Sequence, residues 1–287
     1  MEKNKTYGLK SFNYLEDGEI TYSNLNTVKT SNKLDTGIYH LTYKDYPEYR
    51  VIVKRDENTE KVKQYDFPDS DKLNNLFSAF FDDKIKAKVK ELGYYHKIGV
   101  LLHGIEGTGK STILKKYYTD AIEKNDAIVF HINTYGYFMQ CWEFIMDIRK
   151  IQDNPFIIIF EEMDSMFSID GNESKLKKAL DGPMSIDNTV YLGTTNYIDK
   201  IPKSIKDRPS RFKYQFNIEG IQSEKTVNAI ITEMIGDIIT AEEIVEITKE
   251  LKGSSIDIIK HRCLDKIMNL NKHQYNKKLK IGFAVND

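Results

Sequence analysis

Apolar and polar positions alternate in three different rhythms along this chain. From Gly37 the period is two: Ile38-Tyr39-His40-Leu41-Thr42-Tyr43 and Tyr49-Arg50-Val51-Ile52-Val53-Lys54 predict two strands joined by a Lys-Asp-Tyr-Pro turn. Asp56-Glu57-Asn58 predicts a further turn and Lys61–Tyr65 a third strand. A half-buried sheet accounts for the tyrosines here, with a binding face as the alternative. Residues 1–35 are polar and weakly patterned, with Tyr14, Ile20, Tyr22 and Leu25 to bury. Past Phe67-Pro68, the residues Leu73, Leu76, Phe77, Phe80, Phe81, Ile85 and Val89 recur at helical spacing. They predict one helix, capped by Asp69 or Ser70 and ended by Gly93. Tyr94 and Tyr95 then either wall a pocket or pack on that helix.

A second rhythm follows. Ile98–Leu102, Ala127–Ile132, Phe156–Phe160 and Thr189–Gly193 are short runs almost free of polar residues, separated by helical stretches such as Phe138–Ile151. Strands apolar on both faces and alternating with helices predict a parallel sheet covered on both sides. From about residue 221 the rhythm is helical throughout. Its stripes are Val227/Ile230/Ile231/Met234, Ile244/Ile247/Leu251 and Ile256/Ile259/Cys263/Ile267, the last after a Gly253-Ser254-Ser255 break. Ile281–Val285 is a candidate for one more short strand at the end of a lysine-rich tail.

The chemistry sits between these elements. Gly104-Ile105-Glu106-Gly107-Thr108-Gly109-Lys110-Ser111 fits G-x-x-x-x-G-K-S/T, with an apolar strand before it and Thr112-Ile113-Leu114 opening a helix after it. Its glycines let backbone N–H groups turn inward onto phosphate oxygens, and the helix N-terminus adds partial positive charge. Residues Gly104 through Thr112 are therefore candidates to hold a nucleoside triphosphate. Lys110 would reach the β- and γ-phosphates, and the Ser111 hydroxyl would hold Mg²⁺. About fifty residues on, the strand 156–160 ends in Glu161-Glu162-Met163-Asp164, at the sheet edge where α/β folds bind ligands. Glu161 is the candidate for the metal shell and Glu162 for activating water. Asn196, after the strand from Thr189, is a candidate contact to the γ-phosphate or the lytic water. Arg208 and Arg211 flank Pro209-Ser210 on a loop, and arginines aimed at phosphate give about 10³–10⁵ in rate.

Composition narrows the classes. The 287 residues carry 42 basic and 43 acidic side chains, a formal net charge of −1, so no overall field favours nucleic acid. Two distant cysteines, Cys141 and Cys263, suit a reducing compartment. With no apolar run of membrane-spanning length and no apolar signal core, the cytoplasm is the expectation and a membrane partner is not. The lysine-, isoleucine-, asparagine- and tyrosine-heavy usage suggests an AT-rich genome, such as that of a phage or a low-GC bacterium.

Taken together, these motifs resemble the AAA proteins within the AAA+ ATPases, over roughly residues 70–270. The resemblance rests on Gly104–Ser111 (Walker A), Ile157–Asp164 (Walker B), Leu180-Asp181-Gly182, Thr194-Thr195-Asn196 (sensor 1) and Arg208–Phe212. It looks closest to the branch that contains the mitochondrial translocase of the Rieske protein and related bacterial and phage proteins. It implies Mg-ATP hydrolysis in a ring of six or seven subunits, with Arg208 and Arg211 entering the neighbour's site, and remodelling of a protein partner. A nucleic-acid-handling ATPase is the second reading, and an ATP-switched assembly scaffold the third. Ile105-Glu106 replaces the usual Pro-Pro, and Glu161 the usual Asp. The interval Thr134–Pro155 is short for a substrate-gripping pore loop. Tyr135-Gly136-Tyr137 and Trp142 are candidates for that role, but the amphipathic run explains them as core. The expected architecture is α/β: a β-rich module at 1–70, a P-loop parallel sheet covered by helices at 71–220, a helical lid at 221–270 and a basic tail at 271–287.

Overall fold

The computed structural model describes residues 10–14, 20–24, 33–44, 50–56, 67 and 69–269. Expectations about Lys61–Tyr65, the turns after residues 44 and 56, and the tail with Ile281–Val285 lie outside the described residues. The chain divides into two units, residues 1–34 and 35–287. In the first, β1 (Lys10–Tyr14) pairs antiparallel with β2 (Ile20–Asn24), a hairpin that the weak pattern of this region does not announce.

The second unit is built on a seven-stranded sheet. Its strands are β3 (Gly37–Lys44), β4 (Arg50–Asp56), β5 (Lys97–His103), β6 (Ile128–Ile132), β7 (Phe156–Phe160), β8 (Thr189–Thr195) and β9 (Tyr214–Asn217). The order is β4-β3-β6-β7-β8-β5-β9, parallel apart from the β3–β4 hairpin. The hairpin that the sequence places in a separate N-terminal module is thus an edge of the central sheet, with Ile38 beside Val129 and Leu41 beside Ile132. Edge strand β9 is short and half polar (Tyr-Gln-Phe-Asn), too brief to show a period in sequence.

Strand parity sorts the core into two faces. Val100, Leu102, Val129, Ile157, Ile159, Val190 and Leu192 pack with α1 (Ser70–Phe80) and α3 (Lys110–Asn125) through Leu73, Phe77, Phe80, Ile113, Leu114 and Tyr117. On the other parity, Phe160 meets Phe138 and Phe212, and Tyr191 lies 6.0 Å from Trp142, centroid to centroid. Trp142, on α4 (Phe138–Ile151), is fully buried and donates its indole N–H to the Met184 carbonyl at 3.0 Å. It is core, as the amphipathic pattern implies.

The helix expected over 70–93 is broken. After α1, Asp82 accepts from the N–H groups of Lys84 and Ile85 at 2.8 and 3.1 Å and caps a second helix, α2 (Asp83–Glu91). Apolar spacing runs through the break, but α2 buries no residue and its Ile85 is exposed. Asp69 stands at the N-cap position of α1 at φ 67°, but its carboxylate makes no capping bond. Tyr94 and Tyr95 are exposed just before β5, the end of that strand away from the P-loop.

Between β7 and β9 lie α5 (Met163–Met166), α6 (Asn172–Asp181) and α7 (Lys203–Lys206). The lid follows as α8 (Glu224–Ile235), α9 (Ala241–Leu251) and α10 (Ile256–Met268), whose core is Val227, Ile230, Ile231, Ile235, Ile247, Leu251, Ile259 and Cys263. These are the three stripes seen in sequence. Backbone bonds of 2.8 Å from Ile221 N to Ser254 O and from Gly253 N to Ile221 O tie the start of the lid to the turn before α10. Gly220 permits this approach: a Cβ there would lie 2.0 Å from the Gly253 carbonyl oxygen.

Candidate nucleotide site

The sheet order brings three loops to one edge. In register, His103 at the end of β5 faces Thr195 on β8, and Phe160 at the end of β7 faces Gly193. The P-loop, the acidic turn and Asn196 therefore emerge side by side, beyond the C-terminal ends of parallel strands. Between them lies a cleft of about 500 Å³. Among its lining residues are Glu106, Gly107, Gly109, Lys110, Ser111, Thr112, Glu162 and Asn196, all singled out by the sequence.

The P-loop has the backbone its glycines imply. Gly104, Gly107 and Gly109 sit at φ 139°, 73° and 90°. A side chain at Gly104 would place Cβ 2.2 Å from the Ile218 carbonyl oxygen. Thr108 closes the turn by donating to the Ile105 carbonyl at 2.9 Å, and Ile105 itself is exposed. The Lys110 ammonium lies within the curl, donating to the Gly104 and Ile105 carbonyls at 2.8 and 2.7 Å. Burial pulls its pKa below the ordinary lysine value, while the Glu106 charge pushes the other way. With its ammonium there and Ser111 and Thr112 on the first turn of α3, the loop fits a phosphate chain.

The acidic turn is held from β8. Glu162 takes a left-handed φ of 47°, and its N–H donates to Thr194 Oγ1 at 3.1 Å. Thr195 Oγ1 donates to Asp164 Oδ1 at 2.6 Å. Both threonines line the cleft, and together they aim Glu162 into it. The sequence shows Thr194-Thr195 beside Asn196 without revealing this clipping role.

Glu161 is placed differently. It is not among the cleft's lining residues, and its carboxylate lies 3.4 Å from His131 Nε2. Tyr135 donates to its backbone carbonyl at 2.5 Å. Among the described residues, no group of three or more His, Cys, Asp or Glu could hold a metal by itself. Mg²⁺ fits here only as the companion of nucleotide phosphates, which supply the remaining oxygens.

The two loop arginines also part company. Arg211 is 3% exposed, and its Nε donates to Asp181 Oδ2 at 2.6 Å while Nη1 donates to the Ser204 carbonyl. Arg208 leaves its side chain 61% exposed, with Nη1 3.7 Å from the same carboxylate. Neither lines the chain's own cleft. Burial raises the Asp181 pKa, but bonds from Ser210 and Arg211 and the charges of Arg211 and Lys97 outweigh it, leaving that pKa below the ordinary carboxylate value.

The lid supplies a lining residue that the sequence reading left without a role. Asp257, on the first turn of α10, donates its N–H to the Gly107 carbonyl at 3.2 Å. Its carboxylate lines the cleft. A Cβ on Gly107 would sit 2.9 Å from its Oδ2.

Residues 100–220 match the family described as "ATPase family associated with various cellular activities (AAA)". The chain carries an AAA ATPase domain. Its fold is the α/β fold expected, a mostly parallel sheet between helices. The chain is similar to the vesicular-fusion protein SEC18 of Saccharomyces cerevisiae, 27% identical over 239 residues that cover 70% of this chain and 31% of that protein. It is also similar to an AAA ATPase forming ring-shaped complexes from Kocuria rhizophila, 27% identical over 45% of this chain and 28% of that one. A proteasome-associated ATPase of Frankia alni is 26% identical over 44% of this chain and 26% of its own length. The chain spans about a third or less of the length of the relatives it matches. No described helix is long and apolar enough to cross a membrane.

Proposed function

We propose that this chain is a Mg-ATP-hydrolysing AAA ring ATPase that remodels or moves a protein partner. The observation that carries the reading is the cleft, where Lys110, Ser111, Glu162 and Asn196 converge from three strand ends. Lys110 would neutralise the β- and γ-phosphates and Ser111 would hold the metal, while Glu161, which stands outside the cleft's lining beside His131, would support the metal through its water shell. Bound Mg²⁺ would supply charge neutralisation at the transferred phosphoryl group. Glu162, held by Thr194, would orient the water and take its proton, and Asn196 would hold the γ-phosphate or that water.

The positive charge of a finger is missing from this assembly within one chain, since Arg208 faces solvent outside the cleft. A second copy in a ring of six or seven would supply it, with Arg211 holding the loop from beneath. Relatives named for ring-shaped complexes, vesicular fusion and the proteasome support a ring and a protein partner. Near-balanced charge favours a protein partner over nucleic acid.

The test is ATP turnover by purified protein with magnesium, beside Glu162→Gln, in single-turnover form. A fall of at least a hundredfold is expected; equal rates would remove Glu162 from its role. Mixing Lys110→Ala with Arg208→Ala subunits should recover part of the lost turnover. Absence of recovery at every ratio, with assembly intact, would rule out a finger acting across an interface.

A further inference from the structure

Glu106 is out of place in a cradle for polyphosphate. It lines the cleft together with the carboxylates of Glu162 and Asp257, against the single ammonium of Lys110. A negative side chain this close to a phosphate chain opposes binding unless it does something in return. The structure gives it a partner: Glu106 Oε1 accepts from the Asn196 side-chain amide at 3.4 Å. An ionised carboxylate only accepts, so the amide must turn its N–H₂ group toward it. Asn196 follows β8 and Glu106 follows β5, so the contact spans the cleft between adjacent strand ends.

We propose that Glu106 is a positioning residue that latches the Asn196 amide across the cleft, so that only a nucleotide with a γ-phosphate releases it. The inference rests on the nucleotide reading above and adds to it a conformational readout of the γ-phosphate. While the latch is closed, the donor that a γ-phosphate needs is engaged by a competing anion. A triphosphate reaches far enough to take the amide over, which frees Glu106 to swing to solvent, where it is already exposed. A diphosphate ends short of Asn196, leaves the latch closed and still meets the carboxylate's repulsion. The latch therefore lowers affinity for both nucleotides, and its release couples Asn196 to the triphosphate alone. Its strength is that of one exposed, long, charge-assisted hydrogen bond, which sets the scale at about three- to tenfold in apparent affinity.

Calorimetric titration of ATP and ADP in a Glu162→Gln background, with magnesium, tests this. Glu106→Ala should bind ATP about three- to tenfold tighter and gain less for ADP. Glu106→Gln keeps an acceptor without the charge and should fall between parent and alanine. In a cycle with Asn196→Ala, the effect of Glu106→Ala on ATP affinity should shrink toward its effect on ADP. Equal gains for ATP and ADP, strict additivity with Asn196→Ala, or an unchanged or weaker ATP affinity would each overturn the latch. Should Glu106→Ala melt earlier than the parent, the order of parent and Glu106→Gln decides alone. Failure of the parent to bind either nucleotide, or equal binding by Lys110→Ala, would instead overturn the nucleotide reading and the latch with it.

Discussion

Replacing Arg211 by alanine should unfold this protein sooner, whereas the same change at Arg208 should not. The Arg211 guanidinium is 3% exposed and bonds both Asp181 and the Ser204 carbonyl. Removing one partner of a buried ion pair costs about 3–5 kcal/mol, most of it the charge left behind. Here Lys97 and Arg208 remain 3.7 Å from the Asp181 carboxylate and take up part of that charge, which brings the expected loss to about 2–4 kcal/mol. For a domain of this size that is a fall of about 5–15 °C in Tm. Arg208 is mostly exposed, and its loss should change stability by no more than about 0.5 kcal/mol. Urea unfolding followed by the fluorescence of Trp142, the single and fully buried tryptophan, gives both numbers. Parental stability in Arg211→Ala, or a matching loss in Arg208→Ala, would refute the division of labour between the two arginines. Loss of hydrolysis in Arg211→Ala would then count as evidence for a direct role.

Gly104→Ala should weaken nucleotide binding at least tenfold and lower Tm by several degrees, because its Cβ meets the Ile218 carbonyl at 2.2 Å and φ is 139°; binding and thermal melts check it. Gly220→Ala should prise the lid from the sheet domain, its Cβ lying 2.0 Å from the Gly253 carbonyl. Faster proteolytic cutting near residue 220, with the sheet fragment surviving, is the expected readout. Burial holds His96 below the ordinary histidine value of 6.5, a shift partly offset by its bond to the Phe80 carbonyl. Below pH 6.5 the unfolded chain binds a proton that folded His96 refuses, so stability is full above that pH and falls as the solution is acidified. His96→Gln should flatten that slope, with His103 and His131, also held low by burial, contributing what remains.

Much of the site was legible because its signals are local. The P-loop, the acidic turn and Asn196 each follow an apolar run within a few residues, and parallel packing needed only those runs to bring them to one edge. What escaped depends on distant contacts. The alternation in Ile38–Tyr43 predicts a strand, but only the register of Ile38 with Val129 makes it part of the central sheet. The break at Asp82 was hidden by apolar spacing that continues through it. Arg208 and Arg211 are chemically alike in sequence, and burial alone assigns one to the interior. Asp257 follows the Gly253-Ser254-Ser255 break by two residues, but its place at the cleft comes from the contact of α10 with Gly107.

The pair of bonds joining Ile221 to Gly253 and Ser254 makes residues 222–252 a closed excursion: the chain leaves and returns at one point. The turn at Gly236–Thr240 can therefore vary in length without moving Asp257, whose position is fixed at the knot and by the packing of α8 on α10 rather than at the tip. Evolution or an engineer has a place there to graft a new docking element while the catalytic machinery stays as it is.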